Sequence, residues 1–308
     1  MNFTIIETMI HYQNNHKKIC IMENMQKKII RVFPRKTSYT PDDELVFIGR
    51  PPFNPPFADE VHISCLFTWD RPKAESLYLD WSNYYKNVKI GGPAFDAYGG
   101  EFAPGMYLKK GELITSRGCS NRCSYCFVPK REGNLRLLQI KEGWDILDNN
   151  LLACPKNHIK SVIDMLVKQR HKAMFRGGLE AKLINEWFIS QLQRIKLQCL
   201  FIALDRPNDE IPVEKAIIKL TKAGYSKRQI CCYVLVGYRH DTPKEALKRL
   251  NWLKELGSMP FAMYFRDSNN KGETLPPEWQ KIVRPFCRPA AIFSPPKEKE
   301  TKHEKMLW

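Results

Sequence analysis

The chain has 308 residues, of which 43% are hydrophobic and 27% charged, with ten cysteines and a formal net charge of +16. No run approaches the roughly 18 apolar residues that a membrane-spanning helix needs, and the polar start MNFTIIETMIHYQNNHKK excludes a signal peptide, so a cytoplasmic protein with no membrane partner is expected. In that compartment the cysteines are packing residues, metal ligands or reactive thiols rather than a disulfide framework.

Residues 1–26 have no amphipathic period and are expected to be disordered or to precede the true start, for which Met22 and Met25 are candidates. KIIRVF reads as a short strand. Pro41, Pro51, Pro52, Pro55 and Pro56 then exclude regular structure from the following loop. VHISCLFTW (61–69) is β-branched and apolar, KAESLYLDWSNYY (73–85) has helical spacing, and VKIGGPA (88–94) is a strand ending in two glycines. A small βαβ subdomain is therefore expected over 27–100. His62 lies within its strand and reads as structural.

From 101 to 266 strands and helices alternate. The strands are expected at 112–116, 145–153, 173–178, 197–204, 229–237 and 259–265, with helices near 155–170, 181–194, 212–223 and 243–256. Pro155, Pro212 and Pro243 sit in first helical turns, and Gly224 and Gly257 follow two helices as C-caps do. This alternation is α/β: it implies a parallel sheet with helices outside, six units curling into an incomplete parallel (β/α)6 barrel with ligands at the carboxyl ends of the strands. Residues 267–308 form a tail rich in proline and lysine, with too little apolar content to fold alone.

The chemistry lies in LITSRGCSNRCSYCFVPKREG, where Cys119, Cys123 and Cys126 follow a strand with three and two residues between them. Thiolates bind iron and other soft metals, and a short loop lets three of them reach one cluster. Three ligands on a four-iron cluster leave one iron open, able to take the amino and carboxylate groups of S-adenosylmethionine. A zinc ribbon would want a fourth ligand in a second knuckle. A redox pair of Cys123 and Cys126 would leave Cys119 unexplained. The adjacent Cys231 and Cys232 suit a strand with one thiol on each face, and Cys20, Cys65, Cys199 and Cys287 lack chelating spacing. All six are assigned to packing. Cys154, at the end of the second strand, is either buried packing or a second reactive thiol.

CSNRCSYC resembles the C-x-x-x-C-x-aromatic-C signature of the radical S-adenosylmethionine superfamily, and the resemblance covers about 113–266. It implies a [4Fe-4S] cluster on the three cysteines, S-adenosylmethionine as cofactor, and an electron donor such as flavodoxin or ferredoxin. It places Tyr125 near the adenine and the backbone of Phe127 on the adenine amine. Where the family often ends strand two in Gly-Gly-Glu, this chain has Asp148, Asn149 and Asn150, and Asn149 is carried over as the contact to the amino group. Gly177 and Gly178 are expected to let backbone approach the cofactor. Lys182, or Glu180, is the candidate partner for its carboxylate or ribose, and Asp205 the candidate for the ribose hydroxyls. The βαβ unit is similar to a cut-down open-sheet domain of cobalamin-binding radical enzymes, although no axial-histidine loop accompanies it. The resemblance to tRNA methylthiotransferases fails on their second cysteine triplet and C-terminal domain. Peptide-modifying members carry a cysteine-rich extension that is also missing.

Charge adds a further candidate. Residues 1–100 hold 12 Lys and Arg against 11 Asp and Glu, whereas 101–308 hold 37 against 22. That field favours polyanions, so a nucleic-acid substrate is a candidate partner. The basic residues are scattered in sequence rather than gathered in one stripe, which equally suits a basic enzyme from a lysine-rich genome. The competing functional class is a zinc- or cluster-stabilised nucleic-acid-binding protein without S-adenosylmethionine chemistry.

Overall fold

The computed structural model describes residues 27–96, 102–266 and 274–293. The chain divides into two compact units, Met1–Ala97 and Tyr98–Trp308. The expectations for residues 1–26 and for the charged run at 297–308 lie outside the described residues.

The first unit contains β1 (Ile29–Phe33), β2 (Val46–Ile48), β3 (Glu60–Ser64), α1 (Arg71–Ser82) and β4 (Val88–Gly91). Its four strands are all parallel, in the order β2-β1-β3-β4. It is thus larger than a single βαβ crossover. β2 is the reason: the proline-rich loop was expected to carry no regular structure, yet Pro41 and Pro51 only bracket Val46–Ile48, which pairs along one side of β1. In α1, Ala74, Leu77 and Trp81 fall on one face and are buried with Ile30, Val32, Val61 and Ile63. The Trp81 indole N–H donates to the Gly49 carbonyl (3.1 Å), satisfying its one polar atom. His62 bonds Glu60 (2.9 Å), as a structural histidine should.

The second unit runs β5 (Glu112–Leu113), β6 (Ser116–Arg117), α2 (Val128–Arg131), β7 (Arg136–Leu137), β8 (Asp145–Ile146), α3 (Lys156–Val167), β9 (Ala173–Leu179), α4 (Glu186–Leu192), β10 (Leu197–Leu204), α5 (Glu210–Lys222), β11 (Ile230–Val236), α6 (Pro243–Glu255), β12 (Met259–Tyr264), α7 (Pro277–Val283) and α8 (Pro289–Phe293). Six strands form one sheet, β5-β8-β9-β10-β11-β12, parallel throughout, and β6 with β7 makes a small antiparallel excursion. The strands follow chain order without a reversal. Right-handed crossovers then place every connecting helix on the same face, the arrangement of a sheet rolling toward a barrel rather than a doubly wound one. No pairing of β5 with β12 closes it among the described residues.

Local chemistry explains the helix limits. Thr242 and Glu245 form a reciprocal capping box at the start of α6, with Pro243 beside it. Asn185 accepts from the Phe188 amide (2.9 Å) and starts α4 later than its apolar period suggested. Gly224 and Gly257 follow α5 and α6 with φ of 92° each, left-handed geometry that glycine adopts without strain. Part of the tail, whose composition is too poor in apolar residues to fold alone, carries two short helices. Trp279 of α7, Phe286 and Ile292 are buried in the main core, and α7 packs on α6 and β12. Each such side chain contributes about 2 kcal/mol of burial, enough to hold two short helices that could not stand alone.

Leu200, Ile202, Cys232 and Val234 are wholly buried on the helix-covered face of the sheet. The opposite face carries a stack of Phe201, Tyr233 and Phe261, with Phe201 and Tyr233 centroids 4.4 Å apart. On that face, near the amino ends of the strands, Asp145 is fully buried beside Glu112 and ion-paired with Arg176 (3.0 Å). Burial, then the Asp145 charge, pushes the Glu112 carboxyl up to about 7; burial lifts Asp145 to about 6 against the pull of Arg176. The pair therefore shares a proton near neutral pH.

A raised folded-state pKa fixes the sign of the linkage. The contribution of Glu112 is complete below its unfolded value of 4.5 and is lost as the pH climbs through about 7. Glu112→Gln is expected to stabilise the fold at pH 8 by about 1–2 kcal/mol and to change it little at pH 5. Urea unfolding of both proteins at the two pH values checks this, and an equal gain at both would refute the shared proton.

Candidate functional site

The three cysteines occupy a loop without regular structure between β6 and α2, at the carboxyl ends of the strands. All three are free and half-buried. The Cys126 amide donates to the Cys123 carbonyl (3.1 Å), closing a tight turn over the last two cysteines. The Asn121 amide donates to Cys119 Sγ at 3.4 Å. Burial raises the Cys126 thiol. Gly118, just before the first cysteine, has φ 77°, and a side chain there would collide with the Asn134 carbonyl at 2.2 Å.

Such a loop has little backbone bonding of its own, so its shape depends on side chains reaching in from elsewhere. Three consecutive residues after β8 do this. Asp148 is buried and accepts from the Thr115 amide, the Thr115 hydroxyl and the Ser116 hydroxyl, each at 2.6 Å. Those hydroxyls belong to the strand that leads into the loop. Asn149 donates to Glu132 Oε2 (2.8 Å), and Glu132 also accepts from the Gly118 amide (3.2 Å) and Arg117 (3.3 Å), tying the loop's two ends together. Asn150 donates to Glu180 Oε2 (2.8 Å), which also receives Asn121 from the middle of the loop (3.0 Å). Lys182 pairs with the other Glu180 oxygen at 2.5 Å. Burial would lift the Glu180 carboxyl, but donors from Lys182, Asn150 and Asn121 outweigh it and hold it below its ordinary value.

This network changes the reading of several candidates. Asn149 has its amide engaged by Glu132. Asn150 Oδ1, by contrast, is buried with no hydrogen-bond donor. Gly177 is explained by packing, because a Cβ there would lie 1.8 Å from the Asp148 carbonyl. Gly178 has φ 97° and open space around its Cα, so its need for glycine is conformational. The Phe127 carbonyl accepts the Lys130 and Arg131 amides (3.1 and 3.0 Å), and Arg131 lies over its exposed ring at 5.2 Å. The expected strand at 145–153 ends after Ile146, and Leu151–Ala153 form a 3-10 turn. Asp148, Asn149 and Asn150 are drawn into side-chain bonding, and the chain leaves the sheet.

Tyr125 and Asp205, 80 residues apart, meet directly: the Tyr125 hydroxyl donates to Asp205 Oδ2 at 3.2 Å. Burial raises Asp205 to about 6, only partly offset by this bond. Tyr238 supports the same corner, packing edge-on to Tyr125 with centroids 5.7 Å apart and donating to Ser124 Oγ (3.0 Å). No sequence signal pointed to Tyr238; it follows β11 by two residues, where a loop side chain returns to the strand ends.

Cys154 is buried and its thiol is lifted by burial to about 11. Asp148, Cys154 and His158 offer ligand atoms within 4.8 Å of one another. His158 Nε2 bonds the Thr115 hydroxyl (3.1 Å), which itself donates to Asp148. Thr115 thus links His158 to Asp148 under the loop. Cys231 and Cys232 are buried as expected for packing, while Cys287 is exposed rather than packed; Cys20 lies outside the described residues.

No family model matches the sequence, and no curated protein matches it. Among solved structures, the chain is similar to that of a radical S-adenosylmethionine methyltransferase, TsrM, from Kitasatospora setae, determined with cobalamin and a [4Fe-4S] cluster bound. The TM-score is 0.56 at 11% identity, over 78% of this chain and 75% of that one. The likeness is one of fold: mixed α/β with parallel sheets. No helix among the described residues is long and apolar enough to cross a membrane.

Asp148→Ala removes three bonds at once and leaves the buried Thr115 and Ser116 donors without an acceptor. It is expected to cost about 3 kcal/mol in the iron-free protein. Asn121→Ala, which cuts one bond at a half-buried position, is expected to cost less than about 1 kcal/mol. Thermal unfolding of the two variants followed by circular dichroism gives the comparison; equal melting temperatures would mean that Asp148 does not anchor the loop.

Proposed function

We propose that this chain is a radical S-adenosylmethionine enzyme holding a [4Fe-4S] cluster on Cys119, Cys123 and Cys126, at the carboxyl ends of an incomplete (β/α)6 barrel. One observation carries the reading: three free thiols share a loop directly after the first strand of a parallel sheet whose strands run in chain order. The donor set fits the group. Three soft ligands with an amide N–H on Cys119 Sγ suit an iron–sulfur cluster with one open iron. With S-adenosylmethionine bound, that group supplies reductive cleavage of the sulfonium to a 5′-deoxyadenosyl radical, which takes hydrogen from a substrate.

The part played by the protein's own residues is positioning. Asp205 keeps a carboxylate oxygen for ribose hydroxyls, and its bond to Tyr125 supports the tyrosine's assignment beside the adenine. Asn149 and Asn150 both donate their amide nitrogens to carboxylates, which leaves an amide oxygen on each for the ammonium of the cofactor; that of Asn150 is buried and has no donor. Lys182, tethered by Glu180, suits its carboxylate. An electron donor of the flavodoxin or ferredoxin type would approach the loop from the carboxyl ends. No axial-histidine loop accompanies the first unit: the one histidine among its described residues, His62, is held within β3 by Glu60.

The zinc-stabilised alternative needs a fourth ligand beside the loop. The nearby Cys154 and His158 are turned to Ser116 and Thr115 instead.

Replacing Cys119, Cys123 or Cys126 by Ala is expected to abolish iron and sulfide in anaerobically reconstituted protein, and Cys231→Ala to leave them unchanged. Asp205→Ala should keep the cluster but weaken S-adenosylmethionine about a hundredfold, the loss of a charge-assisted pair of bonds of about 2–3 kcal/mol. The assay is 5′-deoxyadenosine formation under dithionite at several cofactor concentrations. A fully clustered wild-type protein that released none, with or without candidate substrates, would overturn the reading.

A further inference from the structure

The basic residues that look scattered in the sequence are gathered by the topology. In a parallel sheet each helix returns the chain to the amino end of the next strand, so all helix-to-strand connections lie together at that end. The connections are LQIKEGW (138–144) before β8, KQRHK (168–172) before β9, QRIK (193–196) before β10, AGYSKRQ (223–229) before β11 and LGS (256–258) before β12, with KKG (109–111) leading into β5. Together they carry ten Lys and Arg against one Glu, Glu142, and of these cations Arg194 is ion-paired with Asp164 of α3 (2.5 Å). The segments at the opposite end, 118–135, 147–155, 180–185, 205–209, 237–242 and 265–266, balance seven Lys and Arg against six Asp and Glu. Nearly all of the excess charge in the loops is on the face away from the thiols.

The basic face is also ordered. His171 stacks on Trp144 with ring centroids 3.8 Å apart, fixing the KQRHK loop against the strand ends. Ser226 closes on Gln229 through bonds of 3.1 and 3.0 Å, so Lys227 and Arg228 sit at the tip of a closed turn. Ala173 pairs with Leu197 in the sheet, which sets the exposed Lys172 and Lys196 on neighbouring strands, about 4.8 Å apart in backbone spacing. Like charges so placed repel one another. A bound anion would relieve that cost.

We propose that the amino-terminal face of this sheet is a nucleic-acid anchoring surface that grips the phosphate backbone. It stands apart from the radical chemistry and does not depend on it. Phosphate contact needs only clustered cations on a fixed frame. A bilayer would favour apolar side chains to insert, and none of the large exposed hydrophobic residues falls in these segments. An acidic electron-donor protein fits poorly: β10 has eight residues, so a partner seated at its start stands about 26 Å from the strand ends that carry the thiols. A polynucleotide can span that distance and present its own substituents at the far end.

The test uses the full, anaerobically reconstituted chain and a fluorescein-labelled single-stranded RNA oligonucleotide in an anisotropy titration across salt. Binding should weaken steeply as salt rises. The combined variant R170E/K172E/K196E should bind at least tenfold more weakly at low salt, with the slope of log K on log salt reduced in magnitude by about 2, three contacts at about 0.7 each. Its iron content and 5′-deoxyadenosine formation should match wild type, which separates this surface from the cofactor site. If charge reversal lowers the melting temperature, R170Q/K172Q should still show a reduced slope while melting as wild type does. Unchanged RNA affinity in both variants would overturn the proposal. So would salt-insensitive binding, or wild-type binding to phosphatidylserine vesicles without binding to RNA.

Discussion

The loop that carries Cys119, Cys123 and Cys126 has no helix or strand of its own to fix its shape. Its shape is therefore imposed from outside, and Asp148, Asn149 and Asn150 impose it. One fastens the strand leading in, the next joins the two ends through Glu132, and the third reaches the middle through Glu180. Their own placement depends on β9 lying close enough for Gly177 to touch the Asp148 carbonyl, a distance that admits no side chain. The glycine, the polar triplet and the cysteine loop are one mechanical unit. Loss of any part leaves buried donors or acceptors unmet.

What the sequence discloses about this unit divides along the range of the interactions. The cysteine spacing is local and so is readable. β10, β11 and β12 are equally readable, because strands buried on a parallel sheet are continuous apolar runs, and LQCLFIAL matches its strand from end to end. The α6 boundaries follow from Thr242, Pro243 and Glu245, all within one turn. By contrast, Glu132 and Glu180 look like ordinary loop carboxylates. Apart from Lys182 on Glu180, the partners of their side chains lie between 14 and 59 residues away, and no period or spacing announces such pairs.

The same division accounts for the errors of length. DILDNNLLA reads as one strand if only its apolar residues are weighed, since Leu151 and Leu152 resume the hydrophobic run after the polar triplet. Those leucines are buried, but in a 3-10 turn under the loop rather than in the sheet. The C-terminal segment misleads in the opposite direction. Its composition is too polar for an independent fold, yet Trp279 and Phe286 find a ready-made surface on α6 and β12. Composition judges whether a segment can fold alone; it cannot judge what a neighbour offers.

Charge distribution links the two ends of the sheet. S-adenosylmethionine carries a sulfonium and an ammonium against one carboxylate, a net positive charge. If the proposed function holds, a mouth as basic as the chain's average would repel it, and in a half-buried site at low effective dielectric that repulsion would be costly. The loops around the thiols avoid this: Glu132, Glu180 and Asp205 offset their cations, and Arg206 is neutralised by Asp209 (2.9 Å). Basic residues that attract a polyanion are tolerable only where they do not act on the cofactor, and the amino-terminal connections are the most distant place on the same rigid sheet. Separation by a full strand length, more than two screening lengths at moderate salt, would let the domain proposed here favour a cationic cofactor at one end and a polyanion at the other.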